Sequence, residues 1–86
     1  MEFIILDSAL KHGVTRQSIM FCLLHFHNYI VLTEYPLKRM FAGFDHNGNA
    51  LEIAVLGDDD DHLVVIHAMK LRPQYYYLLE ETSYEL

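Results

Sequence analysis

The stretch RMFAGFDHNGNALEIAVLGDDDDHLVVIHAMK, residues 39–70, decides the fold because turn signals divide it into three apolar runs. The Asn47-Gly48 pair is typical of a hairpin turn in which both residues have positive φ. The acidic segment GDDDD, residues 57–61, is typical of a second turn. The three runs are Arg39–Asp45, Leu51–Leu56 and His62–Met69. They predict three consecutive antiparallel strands.

The segments on either side extend this pattern. Tyr29–Tyr35 is rich in β-branched and aromatic residues and is followed by a proline, so it predicts a further strand. Gly13 is typical of a left-handed helix end, Thr15 of an N-cap and Pro73 of a first helical position. The other predicted elements are a strand Glu2–Leu6, a short helical turn Ser8–His12, a main helix Arg16–His25 and a final helix Gln74–Glu81.

This order predicts an α+β fold, with a mostly antiparallel β-sheet of four to five strands and two main helices packed on one face. The 86 residues suffice for one small core and contain no linker or repeat, so we expect residues 1–86 to form a single domain. No apolar run approaches the length of a membrane span, and no secretory signal is evident. The lone Cys22 is typical of a protein of the reducing cytoplasm.

The net charge of −6 disfavours a polyanionic partner, but the acidic residues are unevenly distributed. They cluster at Asp58–Asp61 and at Glu80, Glu81 and Glu85. A neutral or mildly basic patch is therefore expected elsewhere on the surface. One interpretation of the clusters is a solvated turn and a solvated helix end. The other is that they bind a basic partner segment or a metal ion.

The last predicted strand carries a candidate reactive group. Strict alternation places on one face Leu63, Val65, His67 and Met69. Two cations, Lys70 and Arg72, follow His67 closely. An imidazole that transfers protons near neutral pH, next to two cations, suits phosphoryl chemistry. The alternative interpretation is a core histidine with one hydrogen-bond partner and a solvated strand exit.

Two further segments have structural explanations of their own. The cation and glycine of Lys11–Gly13 suit the C-terminus of a helix. The consecutive residues Tyr75–Tyr77 cannot all face one side of a helix, so we expect at least one in the core and at least one partly exposed. The sequence contains neither a glycine-rich phosphate loop nor a Ser/His/Asp signature.

A metal site is a weaker hypothesis. His25 and His27 would share a face in an extended segment, while His46 and His62 flank the two turns. The run Asp58–Asp61 would add oxygen ligands. No recognised ligand spacing joins these residues, so we expect no metal and no cofactor.

KHGVT at residues 11–15 before a helix, a hairpin-rich sheet, and VIHAM at residues 65–69 before a tyrosine-bearing helix together resemble the BrnT family of bacterial toxins. These are small RelE-like ribonucleases of type II toxin–antitoxin systems. The resemblance covers about residues 9 to 81. The residues that match the family pattern are Lys11, His12, Gly13, Arg39, Ile66, Ala68 and Lys70.

This chain departs from the family pattern at two positions of the last strand. His67 stands where the family often has serine, and Met69 stands where it often has arginine. The second departure removes a cation from the surface that would face RNA. The acidic net charge is a further difference, because RelE-like nucleases are usually basic.

The resemblance implies metal-independent cleavage of mRNA, which inhibits translation and growth. The ribose 2′-hydroxyl would attack the adjacent phosphorus, assisted by a base, an acid and cations. His67 would be the acid or base, and the phosphate would be held by Lys70, Arg72 and Arg39. The supporting RNA contacts would come from Lys11, His12 and Tyr76. The resemblance also implies a neutralising antitoxin of ribbon–helix–helix type, through which the complex would bind operator DNA.

Two other functions compete with the toxin hypothesis. A non-catalytic protein-interaction module would have a buried, hydrogen-bonded His67 and an exposed apolar patch. A metal-responsive domain would bring at least three histidine or aspartate side chains within coordination distance. A toxin would gather His67, Lys70, Arg72 and Arg39 on one exposed face.

Overall fold

The fold is seen in a computed structural model that describes residues 3–57 and 62–80. Its elements are β1 (Phe3–Ile5), a 3₁₀ turn (Asp7–Leu10), α1 (Arg16–Leu24), β2 (Asn28–Glu34), β3 (Leu37–Phe44), β4 (Ala50–Leu56), β5 (Leu63–Lys70) and a C-terminal 3₁₀ helix (Pro73–Leu79). The predicted α+β class and the predicted order of elements are confirmed. The final helix differs in type, because Pro73–Leu79 forms 3₁₀ and not α-helix.

The five strands form one mixed sheet in the order β1-β5-β4-β3-β2. Strands β2 to β5 form the predicted antiparallel meander. The short β1 pairs in parallel with β5, with Phe3 opposite Leu63. The β2–β3 connection contains a cis Tyr35–Pro36 peptide bond.

The helices lie on opposite faces of the sheet. One core cluster joins Ile19 of α1 to Phe41 and Ile53, whereas another joins Leu78 of the C-terminal helix to Ala42. Neighbouring strand residues such as Phe41 and Ala42 point to opposite faces. The prediction that both helices pack on one face is therefore wrong. The sheet is covered on both sides, which is why the run Leu51–Val55 of β4 is buried without interruption.

A β-bulge in β5 changes which face His67 occupies. Val65 pairs with Val55, but His67 pairs with Ala54, so Ile66 is an extra residue in the ladder. As a result, Leu63 and Val65 share the α1-side core with Ala68. The alternation predicted for β5 is wrong beyond Val65, because the bulge turns His67 onto the face of the C-terminal helix.

The turns and caps follow side-chain chemistry. Gly13 has φ of 85°, as predicted, but the first helical turn ends earlier, at Leu10. The Thr15 hydroxyl accepts a hydrogen bond from Ser18 N at 3.1 Å, so the predicted N-cap of α1 is confirmed. In the β3–β4 turn only Gly48 has positive φ. The prediction of positive φ at Asn47 is wrong, because the Asp45 carboxylate accepts from Asn47 N at 2.9 Å and stabilises a different turn.

No helix in residues 3–57 and 62–80 is long and apolar enough to cross a membrane.

Candidate functional site

A cleft at one end of the sheet gathers several predicted site residues. It has a volume of about 800 Å³ and lies between the start of α1, the β3–β4 hairpin, the end of β5 and the C-terminal helix. Its lining includes His12, Lys70 and Tyr76. His67 adjoins it, because the rings of His12 and His67 meet edge to face with centroids 5.7 Å apart.

The meeting of His12 and His67 follows from the strand pairing. β1 covers only the first part of β5, from Leu63 to Val65. Beyond this point the 3₁₀ turn Asp7–Leu10 runs beside β5, and the Ser8 hydroxyl donates a hydrogen bond to Ile66 O at 2.9 Å. The chain then leaves the turn with His12 next to His67.

A buried carboxylate links His67 to Arg72. Glu52 of β4 is fully buried, and its Oε2 lies 3.0 Å from His67 Nε2. The guanidinium of Arg72 donates from Nη2 to Oε2 at 2.6 Å and from Nε to Oε1 at 3.1 Å, and the backbone N of Arg72 donates to Oε1 at 3.0 Å. Glu52 therefore has donors on both oxygens, as a buried charge requires.

These contacts decide the charge of Glu52. Burial alone would raise the pKa of the Glu52 carboxyl, but hydrogen bonds from Arg72 and His67 outweigh burial and lower that pKa below its ordinary value. Glu52 is therefore ionised at neutral pH. In return, the carboxylate raises the pKa of Arg72.

His67 is partly exposed and partly held in place. Its side chain is 24% exposed, and its Nε2 faces the Glu52 carboxylate. Because a carboxylate only accepts hydrogen bonds, neutral His67 carries its proton on Nε2 by chemical assignment, which leaves the lone pair on Nδ1. The arrangement resembles a carboxylate-oriented general base.

Arg39 and Lys11 do not join this group. Arg39 pairs with Val55 and lies on the α1 side of the sheet, where its guanidinium carbon is 5.3 Å from the centre of the Phe41 ring. Its Nη2 donates to Gly57 O at 3.1 Å. The expectation that Arg39 shares a phosphate site with His67 is therefore wrong. Lys11 is exposed beside His12 but is not part of the cleft lining.

The prediction of an exposed tyrosine is confirmed, whereas none of the three lies fully in the core. Tyr75 is half-buried against the second core cluster, and the Arg72 guanidinium lies over its ring at 5.4 Å. Tyr76 and Tyr77 are 51% and 54% exposed. Among these residues Tyr76 lines the cleft, where its ring is accessible to a base.

The sequence interpretation missed two buried acids. Asp45 accepts hydrogen bonds from Asn49 N at 2.8 Å and Ser18 Oγ at 3.4 Å, and these bonds with others lower its pKa although burial opposes them. Glu52 was missed because its strand reads as an apolar run. The signal was present, since a lone acid inside such a run requires a buried partner.

The metal hypothesis gains no geometric support. Across residues 3–57 and 62–80, no three histidine, cysteine or acidic side chains lie close enough to hold a metal ion. The acidic run Asp58–Asp61, Glu81 and Glu85 lie outside the described residues. Burial, assisted by the charge of Asp45, raises the pKa of the Cys22 thiol to about 12, so Cys22 is an inert core residue.

No family model, no curated protein and no solved structure matches this chain.

Proposed function

We propose that this chain is a BrnT-type, RelE-like toxin that cleaves mRNA without a metal ion, inhibits translation in the cytoplasm and is neutralised by a cognate antitoxin. One observation supports the proposal above the others. His12 and His67, which come from the two segments that resemble the family, meet at 5.7 Å beside a cleft lined by Lys70. Two imidazoles and a cation can supply the base, the acid and the charge stabilisation that transesterification of RNA needs.

The chemistry assigns one role to each group. His67 Nδ1 takes the proton of the ribose 2′-hydroxyl, whose oxygen attacks phosphorus. The bond to the 5′-oxygen breaks, and protonated His12 donates a proton to that leaving oxygen. Lys70 stabilises the charge that develops on the phosphoryl oxygens. Arg72 contributes less charge than its type suggests, because Glu52 neutralises it.

The antitoxin belongs to the same proposal. A ribbon–helix–helix partner would cover the cleft and carry the complex to operator DNA, as in the family that the sequence resembles. The chain itself has a net charge of −6, which does not favour direct DNA binding. Tyr76 would stack on an RNA base in the cleft.

The test is RNA degradation by purified protein in the presence of EDTA, on free RNA and on translating ribosomes. We expect cleavage by the wild type and a loss of about 10²-fold or more in His67→Ala and in His12→Ala, as for removal of an acid or base. His27→Ala is the matched control, because His27 is exposed and lies against Phe44, with no place in the cleft lining. Absence of cleavage by folded wild type, or an equal loss in the control, would contradict the proposal.

A protein-interaction module is a second candidate, favoured by β2, which is an edge strand of the sheet that residues 3–57 and 62–80 form. Six of its seven residues are exposed, and they include Tyr29, Val31 and Leu32. An edge strand with apolar side chains is a template for strand pairing. We propose a second copy of the chain as the occupant. β2 has an irregularity between Val31 and Thr33. If the outer edge pairs regularly and antiparallel about Val31, the one charged residue of β2, Glu34, would lie opposite Asn28, and like charges would not meet.

Oligomeric state tests this candidate. Sedimentation velocity of the wild type should show a dimer, and Val31→Asp should convert it to a monomer because two carboxylates would face each other at the centre of the pairing. Ile4→Asp is the control, since Ile4 is 57% exposed on the opposite edge strand. A monomeric wild type would rule the candidate out.

A further inference from the structure

Glu52 is the charged side chain at the centre of the sheet. Glu52 is fully buried in β4. Its chain neighbours Leu51 and Ile53 belong to the core on the α1 side, whereas the Glu52 side chain points to the opposite face of the sheet. Burial of an ionised carboxylate is strongly unfavourable unless hydrogen-bond donors surround it. A medium-sized apolar residue at this position would avoid that cost, so the carboxylate needs an explanation beyond packing.

The partners of Glu52 supply one, because both belong to the end of β5 and the segment that follows it. His67 is paired with Ala54, two residues from Glu52 on the same face of β4, and the two side chains meet at 3.0 Å. Arg72 wraps the same carboxylate through both its side chain and its backbone N. The buried Glu52 carboxylate therefore holds both the His67 imidazole and the start of the C-terminal helix. This helix carries Tyr76.

We infer that Glu52 is a positioning residue of the candidate site, which holds His67 in the tautomer that leaves Nδ1 free and holds the Tyr76 helix against the cleft. The inference rests on the proposed function for its catalytic consequence. The tautomer and the orientation of His67 are properties of the folded protein, and they stand apart from any activity.

A purely structural role for Glu52 makes a different prediction. In that case Glu52→Gln would lower stability without changing the histidine, since an amide of equal size fills the same space. In a positioning role the amide fails, because the introduced side chain would offer either an oxygen or an N–H to the ring. His67 would then populate both tautomers.

The experiment is long-range ¹H–¹⁵N spectroscopy of the histidine rings, at a pH where His67 is neutral, in wild type, Glu52→Gln and Glu34→Gln. We expect the Nε2–H tautomer of His67 in the wild type and in Glu34→Gln, whose substituted residue is exposed on β2. We expect a mixture of tautomers in Glu52→Gln. A wild-type ring with its proton on Nδ1, or an unchanged tautomer in Glu52→Gln, would overturn the inference.

The catalytic consequence is measured separately on the same proteins. We expect kcat for RNA cleavage to fall by about 10²-fold or more in Glu52→Gln with a smaller change in KM, because a change from acid to amide beside a catalytic histidine permits the wrong tautomer. An unchanged kcat together with a changed tautomer would overturn the catalytic part alone. A wild type that cleaves no RNA, but shows the expected tautomers, would contradict the proposed function and leave the positioning of His67 established.

Discussion

At the scale of single residues, the site depends on the charge of one side chain. The Glu52 carboxylate accepts hydrogen bonds from Arg72 and lies against His67, and these partners keep it ionised inside the sheet. Because His67 is 24% and Arg72 40% exposed, water compensates them in part when Glu52 is removed. Removal of the Glu52 carboxylate is therefore expected to lower the free energy of unfolding by less than removal of one partner from a fully buried ion pair.

This gives a pH-dependent prediction for Glu52→Gln. The folded-state pKa of Glu52 lies below the ordinary glutamate value of about 4.3, so its contribution to the free energy of unfolding is complete above that pH. The contribution is lost as pH falls through the lower folded-state pKa. We expect Glu52→Gln to be less stable by about 2 kcal/mol at pH 7, below the range of about 3–5 kcal/mol for fully buried pairs.

Urea unfolding of both proteins between pH 7 and pH 3 measures this difference. The difference in the free energy of unfolding should stay constant down to about pH 5 and become smaller at lower pH. Protonation of Glu52 then removes from the wild type the stabilisation by the carboxylate that Glu52→Gln already lacks. Glu34→Gln, on the exposed edge, should stay within about 0.5 kcal/mol of wild type throughout. A difference that grew on acidification would contradict the assigned direction of the pKa shift.

Two residues of the site, His67 and Glu52, differ from what the sequence alone predicts. His67 was identified as a candidate from its position before two cations, but its face was predicted wrongly. The reason is the extra residue Ile66, whose insertion no alternation pattern reveals. The partners of Glu52 lie 15 and 20 residues further along the chain, in β5 and in the segment after it, and only the pairing of β4 with β5 brings them to Glu52.

At the scale of elements, α1 and β3 approach each other closely at Gly43. A Cβ at this position would lie 3.0 Å from the Cα of Phe26 and 3.2 Å from the Sγ of Cys22. The first contact is with backbone just beyond the end of α1, which cannot rotate away as a side chain does. Packing therefore favours glycine at this position, and the φ of Gly43 is not in the left-handed region.

We predict that Gly43→Ala destabilises the protein by about 1–3 kcal/mol, the usual cost of overpacking a core. Thermal unfolding followed by circular dichroism measures the change. The contact pushes the end of α1 away from the sheet, so the loss should appear as a lower Tm with an unchanged far-ultraviolet spectrum well below the transition. Full retention of the wild-type Tm would mean that the end of α1 moves at no cost.

The elements themselves were largely predictable, because each carries a local signal. Thr15 caps α1, Gly13 adopts a positive φ between the two helical segments, and the apolar runs give the meander. The type of the last helix was not predictable. A proline start and three tyrosines are compatible with either type of helix, so the sequence does not decide between them.

At the scale of the whole molecule, the arrangement of layers escaped prediction. The run Leu51–Val55 is buried on both sides although it contains the charged Glu52, and α1 and the C-terminal helix cover different faces of it. Sequence periodicity does not separate a strand buried on both faces from one that is merely rich in apolar residues. Arg39 was predicted to share a site with His67 but lies on the opposite face of the sheet from it.

The pairing of β1 with β5 has a consequence for synthesis of the protein. The strand at residues 3–5 finds its partner only when residues 63–65 have been made, and His12 meets His67 through the same closure. A nascent chain on the ribosome therefore has no assembled site until nearly all of the described residues have emerged from the exit tunnel. Translation that stops early leaves a fragment with an unpaired first strand and one histidine of the pair.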